Sequence, residues 1–251
     1  ETFPLTAEND FLPDLDAIPE ETARRAKFIY INYPNNPTGA VATKAFYEKL
    51  VAWAKTYEVG VVSDLAYGAL GYQGYENPSF LSTPGAKDVG IEFYTFSKTF
   101  NMAGWRLAFA AGNDQMIEAL NLIQDHLFVG IFPALQEAGI AALLDPKSEE
   151  AVAQLNAIYD SRRDAFVQAA AKIGWQAFPS RGSFYAWMPV PEGYTSESFA
   201  DLLLEKVHVA VAPGKGFGPA GDAYVRIGLL VEPERLVEGV NRIANLHLFN
   251  N

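Results

Sequence analysis

Phe28-Ile29-Tyr30-Ile31-Asn32 and Val59-Gly60-Val61-Val62-Ser63-Asp64 are two short apolar runs, and the residues between them repeat with a helical period. Thr43 is placed to cap that helix, and Phe46, Leu50, Val51, Ala54 and Tyr57 recur at spacings of three and four. Neither run alternates cleanly between apolar and polar residues, as expected for strands covered on both faces. Strand, helix, strand in this order predicts a right-handed crossover and a largely parallel sheet. Two further strands are expected over residues 92–96 and 106–111.

The pattern then changes. Residues 113–144 read as helical with a break near Gly130 to Pro133, and Asp145-Pro146 is a stop signal. A long amphipathic helix is expected over 148–173, with Gly174 as its C-terminal cap. Strands at 183–188, 209–212 and 224–229 and helices at 198–207 and 233–246 complete the chain. The fold class expected is α/β: a three-layer unit with a mostly parallel sheet over residues 1–146, and a smaller α+β unit over 147–251.

The chain of 251 residues carries 19 Lys plus Arg against 30 Asp plus Glu, a formal charge of −11. So acidic a surface repels phosphate backbones and anionic lipid, so neither nucleic acid nor a membrane is expected as a partner. The absence of cysteine excludes disulfides, thiolate catalysis and Cys-ligated metals. No apolar run approaches the ~20 residues of a membrane helix. His126, His208 and His247 show no ligand spacing, so no metal is expected. The first residue is Glu1, which sets the expectation that the numbered chain begins inside a longer protein.

Candidate chemistry lies at the expected strand ends. Lys98, in Thr95-Phe96-Ser97-Lys98-Thr99-Phe100, follows a strand, has hydroxyls on both sides and precedes Arg106 by eight positions. A lysine at the carboxyl end of a parallel strand points into the ligand crevice, and hydroxyls with an arginine fork suit a phosphate monoester. The glycines of a nucleotide loop are missing before it, which leaves a Schiff-base lysine or a plain surface lysine. Asp64 ends an apolar strand, where it could cap the next helix, bind a metal or pair with a cationic ligand atom. Asn35-Asn36-Pro37-Thr38-Gly39 is strong turn chemistry that can aim an amide into the same crevice. Arg226 sits inside an apolar strand and needs either a carboxylate ligand or an internal ion pair. Gly216-Phe217-Gly218-Pro219-Ala220-Gly221 matches a dinucleotide glycine pattern but precedes a strand, so it reads as a loop.

Taken in order, Tyr33-Pro34-Asn35-Asn36-Pro37-Thr38-Gly39, Asp64-Leu65-Ala66-Tyr67, the run from Ser97 to Arg106, Pro213-Gly214 with Phe217-Gly218, and Tyr224-Val225-Arg226-Ile227 span nearly the whole chain. This set resembles the pyridoxal 5'-phosphate-dependent aminotransferases of fold type I, class I/II, the branch that includes aspartate, aromatic and diaminopimelate-type enzymes. The resemblance implies that Lys98 forms the Schiff base and shuttles the substrate proton, and that Asp64 keeps the pyridine nitrogen protonated. Asn36 and Tyr67 would bond the phenolic oxygen. Thr95, Ser97 and Arg106 would hold the phosphate, and Arg226 the substrate carboxylate. It also implies a cis Asn36–Pro37 bond, amino acid and 2-oxo acid substrates in a ping-pong cycle, and a cytoplasmic homodimer.

Thr95 departs from the serine or glycine the family favours there, but keeps a hydroxyl. The family's N-terminal arm, glycine-containing phosphate loop and ring-stacking aromatic have no counterpart in this sequence. The resemblance therefore implies an incomplete, inactive piece of such an enzyme. A C–S β-lyase of the same fold would use the same Lys98, Asp64 and Arg226. A non-catalytic effector domain of a regulator is the alternative from another class.

Overall fold

A computed structural model describes residues 1–249. After α1 (Glu20–Arg25) come β1 (Phe28–Asn32), α2 (Lys44–Tyr57) and β2 (Gly60–Asp64). The short α3 (Ala86–Val89) leads into β3 (Gly90–Thr95), α4 (Phe96–Thr99) and β4 (Ala108–Gly112). Helices α5 (Asp114–Leu127), α6 (Pro133–Leu144) and α7 (Ser148–Lys172) follow. The chain then forms β5 (Tyr185–Pro189), α8 (Ser196–Val207), β6 (Ala212–Pro213), β7 (Tyr224–Gly228) and α9 (Pro233–Ala244). The first four strands form one sheet in the order β1-β2-β3-β4, and the last three another in the order β5-β7-β6.

Strands β1, β2 and β3 are parallel, with Phe28 opposite Gly60 and Asn32 opposite Asp64. The α/β class and the mostly parallel sheet are as expected. Strand β4 runs antiparallel to β3, joined to it through residues 96–107. The Thr43 hydroxyl accepts from Phe46 N at 3.1 Å and starts α2, whose Phe46, Tyr47, Leu50, Val51 and Ala54 are buried. The long helix ends with Ile173 as its cap and Gly174 in the left-handed region at φ +82°.

Three expectations need correction. Strand β1 is not covered on both faces: Ile29 and Ile31 pack into the core, whereas Phe28 and Tyr30 are 60% and 66% exposed. Helix α2 covers one face, while the Phe28–Tyr30 side opens onto a cleft whose other wall is Met116 and Ile123 of α5. Phe96 belongs to α4, because the Thr95 hydroxyl accepts from Ser97 N and turns the chain out of the strand. The expected strand over 209–212 shrinks to Ala212–Pro213, where the ladder to β7 is confined to two positions.

Two cores lie behind the sheets. One gathers Phe11, Leu15, Ile29, Ile31, Leu50, Val61 and Phe80, and takes Trp187 from β5. The other gathers Phe166, Trp175, Phe199, Val225 and Leu236, and takes Tyr67 and Leu70 from the loop after β2. Each large side chain fully buried in this way contributes about 1.5–3 kcal/mol. The exchange of Trp187 for Tyr67 interlocks the two sheets where their ends meet.

Glu92 on β3 is a buried carboxylate with no cation paired to it among the described residues. It accepts from Ser63 Oγ at 3.0 Å, Ser79 Oγ at 2.5 Å and Phe80 N at 2.8 Å. Hydrogen bonds to a charged group contribute about 1.5–3 kcal/mol each, so this set offsets the burial and ties the 79–82 turn to the sheet.

Candidate functional site

Strands β1, β2 and β3 are parallel, so their carboxyl ends lie at one edge of the sheet, and polar side chains gather there. After β1 the chain turns through residues 33–39, with cis bonds at Tyr33–Pro34 and Asn36–Pro37, the second as expected. Within the turn, Asn35 Oδ1 accepts from Thr38 N at 3.2 Å and Thr38 Oγ1 at 2.8 Å. Gly39 is required: its φ is +70°, and a Cβ would lie 2.1 Å from Ser180 Oγ. The carbonyl of Gly39 accepts from Ser180 Oγ at 3.2 Å and from the amides of Arg181 and Gly182 at 3.3 Å each, holding the turn against the approach to β5.

Asp64 ends β2, and its carboxylate accepts from Ala66 N at 3.1 Å. It therefore caps the following turn, one of the alternatives left open for it. No lysine, arginine or histidine among the described residues pairs with it, and burial pushes its pKa up, only partly opposed by the Ala66 amide. Tyr67 lies on that turn, buried against Phe184 and Tyr185 in edge-to-face contacts at 5.2 and 6.1 Å. Burial, and then its contact with the Tyr185 hydroxyl, hold its phenol well above the ordinary value, so it remains a proton donor.

Lys98 lies on α4, one turn beyond β3. Its Nζ stands 5.9 Å from the Tyr67 ring centre and 5.5 Å from that of Phe184. No carboxylate among the described residues pairs with it. At the start of α4, Thr95 Oγ1 donates to Ser97 Oγ at 3.0 Å, leaving two hydroxyls side by side.

Arg226 reaches the site from β7. Its guanidinium is sandwiched between Tyr185 at 4.2 Å and Phe217 at 4.7 Å, contacts that contribute about 0.5–2 kcal/mol each. Its Nη1 donates to Asn36 Oδ1 at 2.7 Å. The internal ion pair considered for Arg226 does not form among the described residues; the partner is a neutral amide. With Oδ1 engaged, the Nδ2 hydrogens of Asn36 have no acceptor among the described residues and stay available as donors.

Asn36, Asp64, Tyr67, Lys98 and Arg226 are thus brought together, with Thr95 and Ser97 beside Lys98. Arg106 is not drawn in. Its backbone is adjacent, since Phe96 N donates to Leu107 O at 3.2 Å, but its exposed side chain donates to Ala103 O at 2.8 Å. Tyr185, Phe184 and Asn32 also belong to the site and carry no motif of their own in the sequence, and Phe217 joins them from the Phe217-Gly218 piece, which gave it no role of its own. The Asn32 amide lies between Asp64 and the Asn36 turn.

The donor set fits pyridoxal 5'-phosphate. A half-buried carboxylate with no cation paired to it among the described residues suits the protonated ring nitrogen, and a protonated phenol with an amide donor suits the phenolic oxygen. A lysine without an acidic partner suits the aldehyde, and paired hydroxyls suit the phosphate.

Residues 1–243 match the family described as aminotransferase class I and II. The chain is 56% identical over 249 residues to an L-glutamine–4-(methylsulfanyl)-2-oxobutanoate aminotransferase of Bacillus subtilis (strain 168), covering 99% of this chain and 62% of that protein. It is 50% identical over 244 residues to an LL-diaminopimelate aminotransferase of Moorella thermoacetica, covering 97% of this chain and 62% of the relative. A substrate-bound BacF structure from Bacillus subtilis superposes with a TM-score of 0.92 at 46% identity, over 98% of this chain and 62% of the other. The chain therefore spans about 62% of the length of the curated relatives it matches.

Asp64 gives a test on the cofactor-free protein. Its pKa is raised by burial, so the folded state binds more protons than the unfolded state between the two pKa values, and stability falls as pH rises through that window. Asp64→Asn keeps the acceptor for Ala66 N and removes the buried charge. We expect it to resist urea better than wild type at about pH 8, with the gap closing near pH 3, below the ordinary carboxylate value of about 3.9. Equal or lower stability of the variant at the higher pH would contradict the account.

Proposed function

Since this chain belongs to the aminotransferase class I and II family, we propose that the whole protein moves an amino group from an L-amino acid to a 2-oxo acid in a ping-pong cycle. The observation that carries the reading is the arrangement of Asp64, Tyr67, Lys98, Asn36 and Arg226 around one crevice. Pyridoxal phosphate, the cofactor of the family, supplies an electron-withdrawing ring that stabilises negative charge developing at the substrate Cα.

The chain's own residues divide the remaining work. The Asp64 carboxylate holds a proton on the ring nitrogen, and the burial that disfavours its charge when unpaired strengthens its attraction to that cation. Asn36 Nδ2 and the Tyr67 hydroxyl donate to the phenolic oxygen. Lys98 Nζ would hold the aldehyde end until the substrate amine displaces it, and the freed amine would then move the proton at Cα. Thr95, Ser97 and Arg106 take the phosphate, Arg106 exchanging the Ala103 carbonyl for it. Arg226, its plane set by Tyr185 and Phe217, presents its remaining N–H groups to the substrate carboxylate. The names of the relatives suggest L-glutamine with 4-(methylsulfanyl)-2-oxobutanoate as the first pair to assay, then LL-diaminopimelate.

We also propose that the chain divides at 146/147 into a cofactor-binding unit and a smaller unit, supported by the two separate sheets. A further proposal is that two copies associate. Supporting this, Leu127, Phe128, Val129 and Phe132, around the α5–α6 break, are all at least 66% exposed, and clustered exposed apolar side chains mark association surfaces.

Donor alone should yield one equivalent of 2-oxo acid per site and stop until acceptor is added. Continuous release of ammonia and a thiol without acceptor would support the C–S lyase instead, and no consumption of donor the effector domain. Arg226→Lys should lower kcat/KM roughly 100-fold, about 2.8 kcal/mol at 1.4 kcal/mol per decade. Sedimentation of the whole protein should give twice the chain mass, and Phe128→Asp with Phe132→Asp should shift it towards monomer. A monomeric wild type would contradict the association.

A further inference from the structure

We propose that Asn32 is a positioning residue of the cofactor site, setting the separation between Asp64 and Asn36 through a single side-chain amide. Asn32 is the last residue of β1 and the register partner of Asp64 on β2. Its Nδ2 donates to Asp64 O at 3.0 Å, and its Oδ1 accepts from Asn36 N at 2.9 Å. Its own carbonyl accepts from Asn35 Nδ2 at 3.2 Å. Both ends of the amide are therefore engaged, one on each of the two segments that carry the ring-facing groups.

The chemistry explains why an asparagine stands there. Beyond Asn32 the chain leaves the ladder, and Pro34 and Pro37 have no N–H to offer. The Asn32 side chain supplies the next cross-strand bond that the backbone no longer makes. That bond needs a donor towards a carbonyl and an acceptor towards an amide at once. An aspartate lacks the donor and a leucine lacks both. Asn36 Oδ1 in turn accepts from Arg226, so Asp64, Asn32, Asn36 and Arg226 form one hydrogen-bonded line from the expected ring-nitrogen partner to the expected carboxylate clamp.

The inference rests on the reading of Asp64 and Asn36 as cofactor contacts. Its consequence is electronic as well as steric. A donor well placed on the phenolic oxygen competes for that oxygen's negative charge, so loosening Asn36 lets the bound cofactor keep its proton to higher pH.

The test uses the whole protein with Asn32→Ala, Asn32→Asp and, as a control, Thr38→Ala. Thr38 braces the same turn through Asn35 but lies off the line to Asp64. Three quantities are read: the Kd for pyridoxal phosphate, the pH midpoint of the bound cofactor's visible absorption, and the unfolding midpoint of the cofactor-free protein. Asn32→Ala is expected to raise the Kd about tenfold or more and the pH midpoint by about one unit. Asn32→Asp keeps the acceptor for Asn36 N and loses the donor, shifts both in the same direction, and serves if the alanine variant does not fold. Thr38→Ala is expected to lower the unfolding midpoint while leaving the pH midpoint in place. Asn32 variants that lose stability with Kd and pH midpoint unchanged, or shifts matched by Thr38→Ala, would overturn the proposal. A wild type that develops no cofactor band would instead overturn the cofactor reading itself, and this inference with it.

Discussion

Arg226 and Asn36 are 190 positions apart, and the 2.7 Å hydrogen bond between them joins the two sheets at the point where the chemistry is concentrated. A guanidinium on a strand flanked by Val225 and Ile227 requires partners, because an unpaired buried charge costs several kcal/mol. Here the faces of the ion are covered by Tyr185 and Phe217, and one edge is satisfied by an amide. A carboxylate in place of Asn36 would neutralise the arginine. The amide orients it and leaves its charge available, which suits the carboxylate-binding role proposed for it. The turn carrying Asn36 is braced from both sides, by Asn32 from the first sheet and by the 180–182 segment through Gly39 from the second. Separation of the sheets would therefore dismantle the clamp and the amide donor together.

The same crevice concentrates groups that are poorly accommodated without a ligand. Burial raises the pKa of Asp64 and so disfavours its charge, and Lys98 faces aromatic rings rather than a carboxylate. Tyr67 is kept protonated by its apolar surroundings. Elsewhere a buried acid is fully satisfied: Glu92 collects three donors. The contrast between Glu92 and Asp64, on neighbouring strands, separates structure from function more clearly than burial alone. Site residues often carry unsatisfied chemistry that the rest of the fold must hold in place.

Local signals in the sequence were reliable where local physics decides. Thr43 caps α2, Gly174 follows α7, and Pro133 opens α6, all as the residue types suggest. The site residues at strand ends were legible because motif and position agreed. Asn32 and Tyr185 were not, because their roles arise from contacts between segments distant in sequence, and each would pass as an ordinary strand residue. The exposure of Phe28 and Tyr30 was also beyond reach, since it depends on which elements meet a face rather than on the face's own composition. Arg106 shows the reverse case: the motif names it, while its side chain rests on Ala103 O.

The central claim is that one lysine, placed by α4 between Tyr67 and Phe184, bonds the cofactor. Borohydride reduction of the whole protein with pyridoxal phosphate, followed by digestion and mass spectrometry, tests it directly. The account predicts a single reduced adduct on Lys98 that disappears in Lys98→Ala. An adduct spread over surface lysines, or one that persists in the variant, would contradict it.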